Sequence, residues 1–151
     1  RQEGRMSDSQ ALADLVGAEN DGYATLIALL DDETRSLCAG DAFALEAKAD
    51  AKLAQVRVLE RIGQQRRQLM ARVSQGPAPA APALVESLRV LHERASEARR
   101  INILNGRLID RHQQYASRSL AVLRDAAGLP GLYGADGQAA HNASSLSRAR
   151  V

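Results

Sequence analysis

The chain has no tryptophan, a single phenylalanine and an aromatic share of 3%. Any core must therefore be built from Leu, Ile, Val and Ala, which suits helix-on-helix packing better than a β-sandwich rich in aromatic and β-branched residues. One cysteine, Cys38, excludes an internal disulfide and fits a reducing compartment. No run of about 18 apolar residues is present, so no bilayer span is expected. The apolar stretch of a signal peptide is also missing near the beginning, which makes cytoplasmic residence the default expectation. A net charge of +2 is too small to argue for nucleic acid or an anionic membrane. His92, His112 and His141 are too scattered for a metal or acid–base cluster, and no phosphate loop or nucleophile motif exists. No catalytic, cofactor-binding or metal-ligating residue is expected, and neither is an enzyme.

What is present is an apolar content of 45% against 25% charged residues over 151 positions, enough for one domain with its own core. Residues 1–6 read as an N-terminal extension. From Leu12 a seam of 4- and 3-residue steps runs Leu12, Val16, Glu19, Tyr23, Leu26, Leu30, Glu33 and Leu37, a heptad pattern with two polar interruptions. Ser7 or Asp8 can cap its start, Gly40 can end it, and Asp41 can cap the next helix. A second seam carries Leu45, Ala49, Leu53, Val56, Leu59, Ile62, Leu69 and Val73. The short turn between them predicts an antiparallel hairpin. Residues 74–82 hold three prolines, which lack the backbone donor a helix needs, and read as a linker.

A third seam then runs through Leu84, Leu88, Leu91, Ala95, Ala98, Asn102, Asn105, Ile109, His112, Ala116, Ser119 and Leu123, with no breaker but Gly106 before Gly128. The expected architecture is all-α: an antiparallel three-helix bundle or coiled coil with helices over about 8–39, 42–73 and 83–127, and a flexible C-terminal tail over 128–151. The third helix would be roughly 66 Å long against roughly 48 Å for the others, at 1.5 Å per residue, and should overhang them. Charge agrees with a bundle. Residues 7–41 carry eight acids against Arg35 alone, residues 42–73 carry seven bases against three acids, and residues 84–127 eight bases against five acids. An acidic first helix between two basic ones favours pairing inside the molecule.

Two features are not what a purely packing helix would choose. Asn102 and Asn105-Gly106, followed by Leu108 and Ile109, interrupt the third seam with amides. Asn-Gly is ordinarily a turn signal, but the apolar phase continues on both sides and no strand pattern flanks it. The amides can fix register as buried polar seam residues, or form a hydrogen-bonding patch where Gly106 lets another backbone approach. Beyond the helix, Leu132-Tyr133-Gly134-Ala135-Asp136-Gly137 sets a tyrosine in a glycine turn. Tyr133 can fold back on the bundle, or serve as a docking anchor. The stretch from Ala116 offers Leu120, Val122 and Leu123 with no partner from the shorter helices, a surface able to take up an amphipathic helix.

In this order and spacing the motifs resemble the FlgN family of flagellar type III export chaperones. The resemblance rests on Asn102, Asn105, Gly106, Leu108 and Ile109 in a long last helix, on Leu132, Tyr133, Gly134, Asp136 and Gly137 after it, and on Gln64-Gln65-Arg66-Arg67 at the end of the second. It implies a cytoplasmic chaperone for the two hook-filament junction proteins, of the FlgK and FlgL type, kept unassembled and competent for export. It also implies that Tyr133 docks on the cytoplasmic domain of the export gate, FlhA, while the neighbouring tail and the end of the third helix grip the client. The Arg-rich helix faces belong to no pattern of that family. Other readings remain open at this level: a chaperone for a different client such as the filament cap protein, or a helical scaffold that forms a homo-oligomer through its third helix.

Overall fold

The computed structural model describes residues 2–74 and 81–128. They form three helices, α1 (Gln2–Ala39), α2 (Ala42–Val73) and α3 (Pro82–Ala126), of 38, 32 and 45 residues, with no strand among the described residues. The expected all-α bundle with a long third helix is what is found. α1 starts at Gln2, well ahead of a cap at Ser7 or Asp8. Adding residues to an existing helix is cheap once its nucleus has formed, so Gly4 does not stop it. Residues 129–151 of the stretch expected as a tail, 128–151, and residues 75–80 of the linker lie outside the described residues.

The turn between α1 and α2 needs only two residues because each does a separate job. Gly40 takes a left-handed φ of 70°, open to glycine at no steric cost. In that conformation the Gly40 N–H reaches the Leu37 carbonyl at 3.3 Å and the Asp41 N–H reaches that of Ser36 at 3.0 Å, satisfying orphan carbonyls of α1. The Asp41 carboxylate then accepts the Ala44 N–H at 3.1 Å and opens α2. Pro82 opens α3 at the one position where its missing N–H costs nothing. At the far end Gly128, with φ 65°, follows the last turn.

The chain divides into two units, Arg1–Ile109 and Asp110–Val151. Within the first, polar and apolar layers alternate along α1. Leu12 and Val16 pack with Leu69 and Leu91 in one cluster, and Leu26 and Leu30 with Leu59, Ala98 and Ile101 in a second. Between them lies Glu19, buried and paired with Arg66. Past the second cluster lies Glu33, buried and paired with Lys52 at 2.8 Å. The two acids are two heptads apart on α1 and their partners two heptads apart on α2 in reverse order, which sets α1 and α2 antiparallel and in one register. Arg94 donates to the Asn20 carbonyl at 2.9 Å, and Asn105 reaches Leu30 and Glu33 further on. α3 therefore runs in the same direction as α1.

The acidic interruptions of the first seam are thus its register marks. Each buried leucine contributes about 1.5–3 kcal/mol but tolerates sliding by a heptad onto another leucine. A buried carboxylate does not tolerate sliding, because away from its one basic partner it stays charged and unpaired.

Candidate partner-binding surface

Asn105 is 1% exposed and spends its amide inside the first unit. Its Nδ2 donates to the Leu30 carbonyl at 2.9 Å and to Glu33 Oε2 at 2.8 Å, while its Oδ1 accepts the Thr34 hydroxyl at 2.7 Å. Glu33 Oε1 meets Lys52 Nζ, and the same Nζ reaches Asn102 Oδ1 at 3.4 Å. One connected network joins all three helices through a carboxylate, an ammonium and two amides. Of the two roles open to the amides, this geometry gives Asn105 the register role: its side chain has no face left for a partner. Asn102 is exposed apart from its contact with Lys52. The seam pattern marked Glu33 and Asn105 as interruptions without showing that they meet. Thr34 and Lys52 carried no signal at all, because their place in the network depends on α2 and α3 crossing α1 at this level.

Gly106 follows Asn105 with nothing within 4 Å of where a side-chain β-carbon would stand. Packing inside the protein does not require glycine there, although glycine costs a helix interior about 1 kcal/mol relative to alanine. Leu108 and Ile109 are half-buried, and Ile103 and Leu104 beside them are 46% and 42% exposed.

In the second unit the same apolar phase is uncovered. Leu120 is 53% exposed, Val122 66% and Leu123 65%, and Tyr115 is 75% exposed. Periodicity groups Tyr115, Ala116, Ser119, Leu120, Val122 and Leu123 on one broad face of α3, with Asp110, Gln114 and Asp125 behind it. Sequence reasoning picked Leu120, Val122 and Leu123 but passed over Tyr115, whose offset from Val122 by one heptad was the signal available. His112 is exposed rather than packed in the seam, because the residues around it on that phase are uncovered too. Leu132, Tyr133, Gly134, Asp136 and Gly137 lie outside the described residues.

A second apolar feature belongs to the first unit. A groove of about 620 Å³ is floored by Leu26 and Leu30 and walled by Val56, Leu59, Ala95 and Ala98, with Glu19 and Lys52 among its lining residues. Both of those charges are already paired, with Arg66 and Glu33. Glu60, Arg67, Arg99 and Asn102 also line the groove. Among the described residues no group of three or more His, Cys, Asp or Glu is placed to hold a metal ion, and no helix is long and apolar enough to cross a membrane.

Compared with known protein families, residues 6–141 match the model described as FlgN protein. No curated protein and no solved structure matches the chain.

Proposed function

The chain belongs to the FlgN family, whose members are chaperones of flagellar type III export and not enzymes, and on that footing we propose that it carries hook-filament junction proteins of the FlgK and FlgL type to the export gate from the cytoplasm. The observation that carries this reading is the exposure of Tyr115, Leu120, Val122 and Leu123 on one face of α3. A contiguous apolar face left in water is costly for a monomer and marks a surface that another chain covers. A client held for export must be neither folded nor polymerised, and laying one amphipathic helix of it against this face blocks both. Ordering the client segment costs about 2–5 kcal/mol of the gross interaction, which keeps the complex reversible. Asn102, Gly106, Leu108 and Ile109, in the first unit, are further candidates for contact with a partner. Leu132, Tyr133, Gly134, Asp136 and Gly137 supply the docking element for the cytoplasmic domain of the gate component FlhA, with Tyr133 as its anchor.

Calorimetric titration with the C-terminal helical segments of the two junction proteins tests this. Both segments should bind at micromolar affinity or tighter. Leu120→Asp combined with Leu123→Asp should abolish binding while leaving the thermal midpoint unchanged, and Tyr133→Ala should keep client binding but lose the gate domain. Unchanged client affinity in the double aspartate variant would place the client elsewhere.

A further inference from the structure

Of the four asparagines in the chain, Asn20, Asn102, Asn105 and Asn142, only Asn105 is followed by glycine. Asparagine is a thermally labile residue, and the neighbour on its C-terminal side sets how labile. The backbone nitrogen of that neighbour can attack the side-chain amide carbon, and a glycine, having no side chain, leaves the approach open. Asn102 is followed by Ile103, whose branched β-carbon obstructs the same attack. The two amides of the seam are placed in opposite ways. Asn102, with the obstructing neighbour, is exposed, whereas Asn105, with the permissive one, is 1% exposed.

Two constraints keep the reacting atoms of Asn105 and Gly106 apart in the folded chain. Both residues lie inside α3, where ψ stays near about −42° and the N–H groups are engaged in the helix ladder. Attack requires the Asn105 ψ to leave that range, so that the Gly106 nitrogen comes over the amide carbon. The amide itself is held at both ends, its Nδ2 by the Leu30 carbonyl and Glu33 Oε2 and its Oδ1 by the Thr34 hydroxyl. The space beside Gly106 is open, so packing on the glycine adds nothing to this hold.

We infer that Asn105-Gly106 is a site of spontaneous deamidation that the three-helix network keeps closed and that opens when α3 separates from α1. The Gly106 nitrogen loses its proton to solvent and bonds to the Asn105 amide carbon, the bond to Nδ2 breaks, and Nδ2 departs as ammonia. One water molecule then opens the cyclic imide at either of its two carbonyls, giving aspartate or isoaspartate, with no oxidant or reductant involved. Either product works against a return to the same register. Aspartate sets a carboxylate oxygen where Nδ2 stood, against the Leu30 carbonyl and Glu33 Oε2, with Lys52 already paired to Glu33. Isoaspartate adds a carbon to the main chain in the middle of α3 and interrupts its ladder. A separation of α3 is thereby recorded in the covalent structure, and the glycine that packing does not require is the residue that allows it.

Holding the full chain in native buffer, and in urea concentrated enough to unfold it, at one pH and temperature tests this by trypsin cleavage and mass spectrometry. Cleavage after Arg100 and Arg107 releases residues 101–107, which carry Asn102 beside Asn105 as an internal reference. Conversion at Asn105 should be at least about a hundredfold faster in urea than in the native chain, since only opened molecules react, and Asn102 should convert far more slowly than Asn105 in urea. Gly106→Ala should bring Asn105 in urea down toward the rate of Asn102. Thr34→Val, which releases one end of the amide, should raise the native rate several-fold at unchanged helix content. On removal of urea, aged wild-type chain should regain its helix content and thermal midpoint only in the unconverted fraction, and aged Gly106→Ala in full. Equal rates in native buffer and urea would overturn the protection, and a Thr34→Val rate equal to wild type would take the network out of it. Converted chain that refolds to the original midpoint would overturn the consequence for register.

Discussion

In the first part of α3 Leu91, Ala98, Ile101 and Asn105 are buried, whereas further along the same helix and on the same phase Tyr115, Leu120, Val122 and Leu123 are exposed. The residue types are much alike in the two stretches, and so is the spacing. What differs is the cover: α1 supplies Leu12, Val16, Leu26 and Leu30 to the first, and the second has no counterpart among the described residues. An apolar stripe in a helix therefore states which way a surface faces and not what lies on it.

The sharpest way to break this comparison is to truncate one leucine in each stretch. Leu91→Ala should cost about 3 kcal/mol of stability, as large-to-small changes in a buried seam do, and Leu123→Ala less than about 0.5 kcal/mol, as exposed positions do. Denaturant unfolding of the two variants reads both, and similar losses would mean that the distal stripe is covered within the chain. A somewhat smaller effect is expected of Asn105→Leu, which fills the site but leaves Glu33 Oε2 without the amide that donates to it, while the Leu30 carbonyl keeps the Thr34 hydroxyl. Stability should fall by about 2 kcal/mol, the cost of stranding a buried charged acceptor. A neutral result would show that the network is not what holds α3 to α1. The smallest effect has the opposite sign. Gly106→Ala should raise stability by up to about 1 kcal/mol, because nothing stands where the methyl would go and alanine is the better helix former. Weaker client or gate binding in the same variant would assign the glycine to close approach by a partner.

Much of this could be read from the chain alone. Every position of the first seam is buried except Tyr23, which is half-buried. The turn chemistry of Gly40 and Asp41 was explicit in their types, since glycine takes a left-handed position without steric cost and aspartate caps a helix well. The second seam was less legible. Leu53 is 50% exposed and Leu59 and Leu69 are its buried members, because α2 contributes a narrower strip to the core than its leucines suggest. The charge pattern was legible by sign and not by partner: α1 and α2 do pair, through Glu19, Asp32 and Glu33, but α3 forms its ion pairs within itself and offers α1 hydrogen bonds instead.

The boundary between what the residues determined and what the fold decided follows the range of the interactions. Helix phase, turn and cap arise between residues a few positions apart, so the order of types along the chain determined them, together with the motifs that mark the family. The role of Asn105, its meeting with Glu33, and the change from a covered to an open stripe along α3 depend on residues about seventy positions away. Those separations are closed only when three helices settle into one register, and the tertiary structure alone decided which amide went inward and which leucines stayed in water.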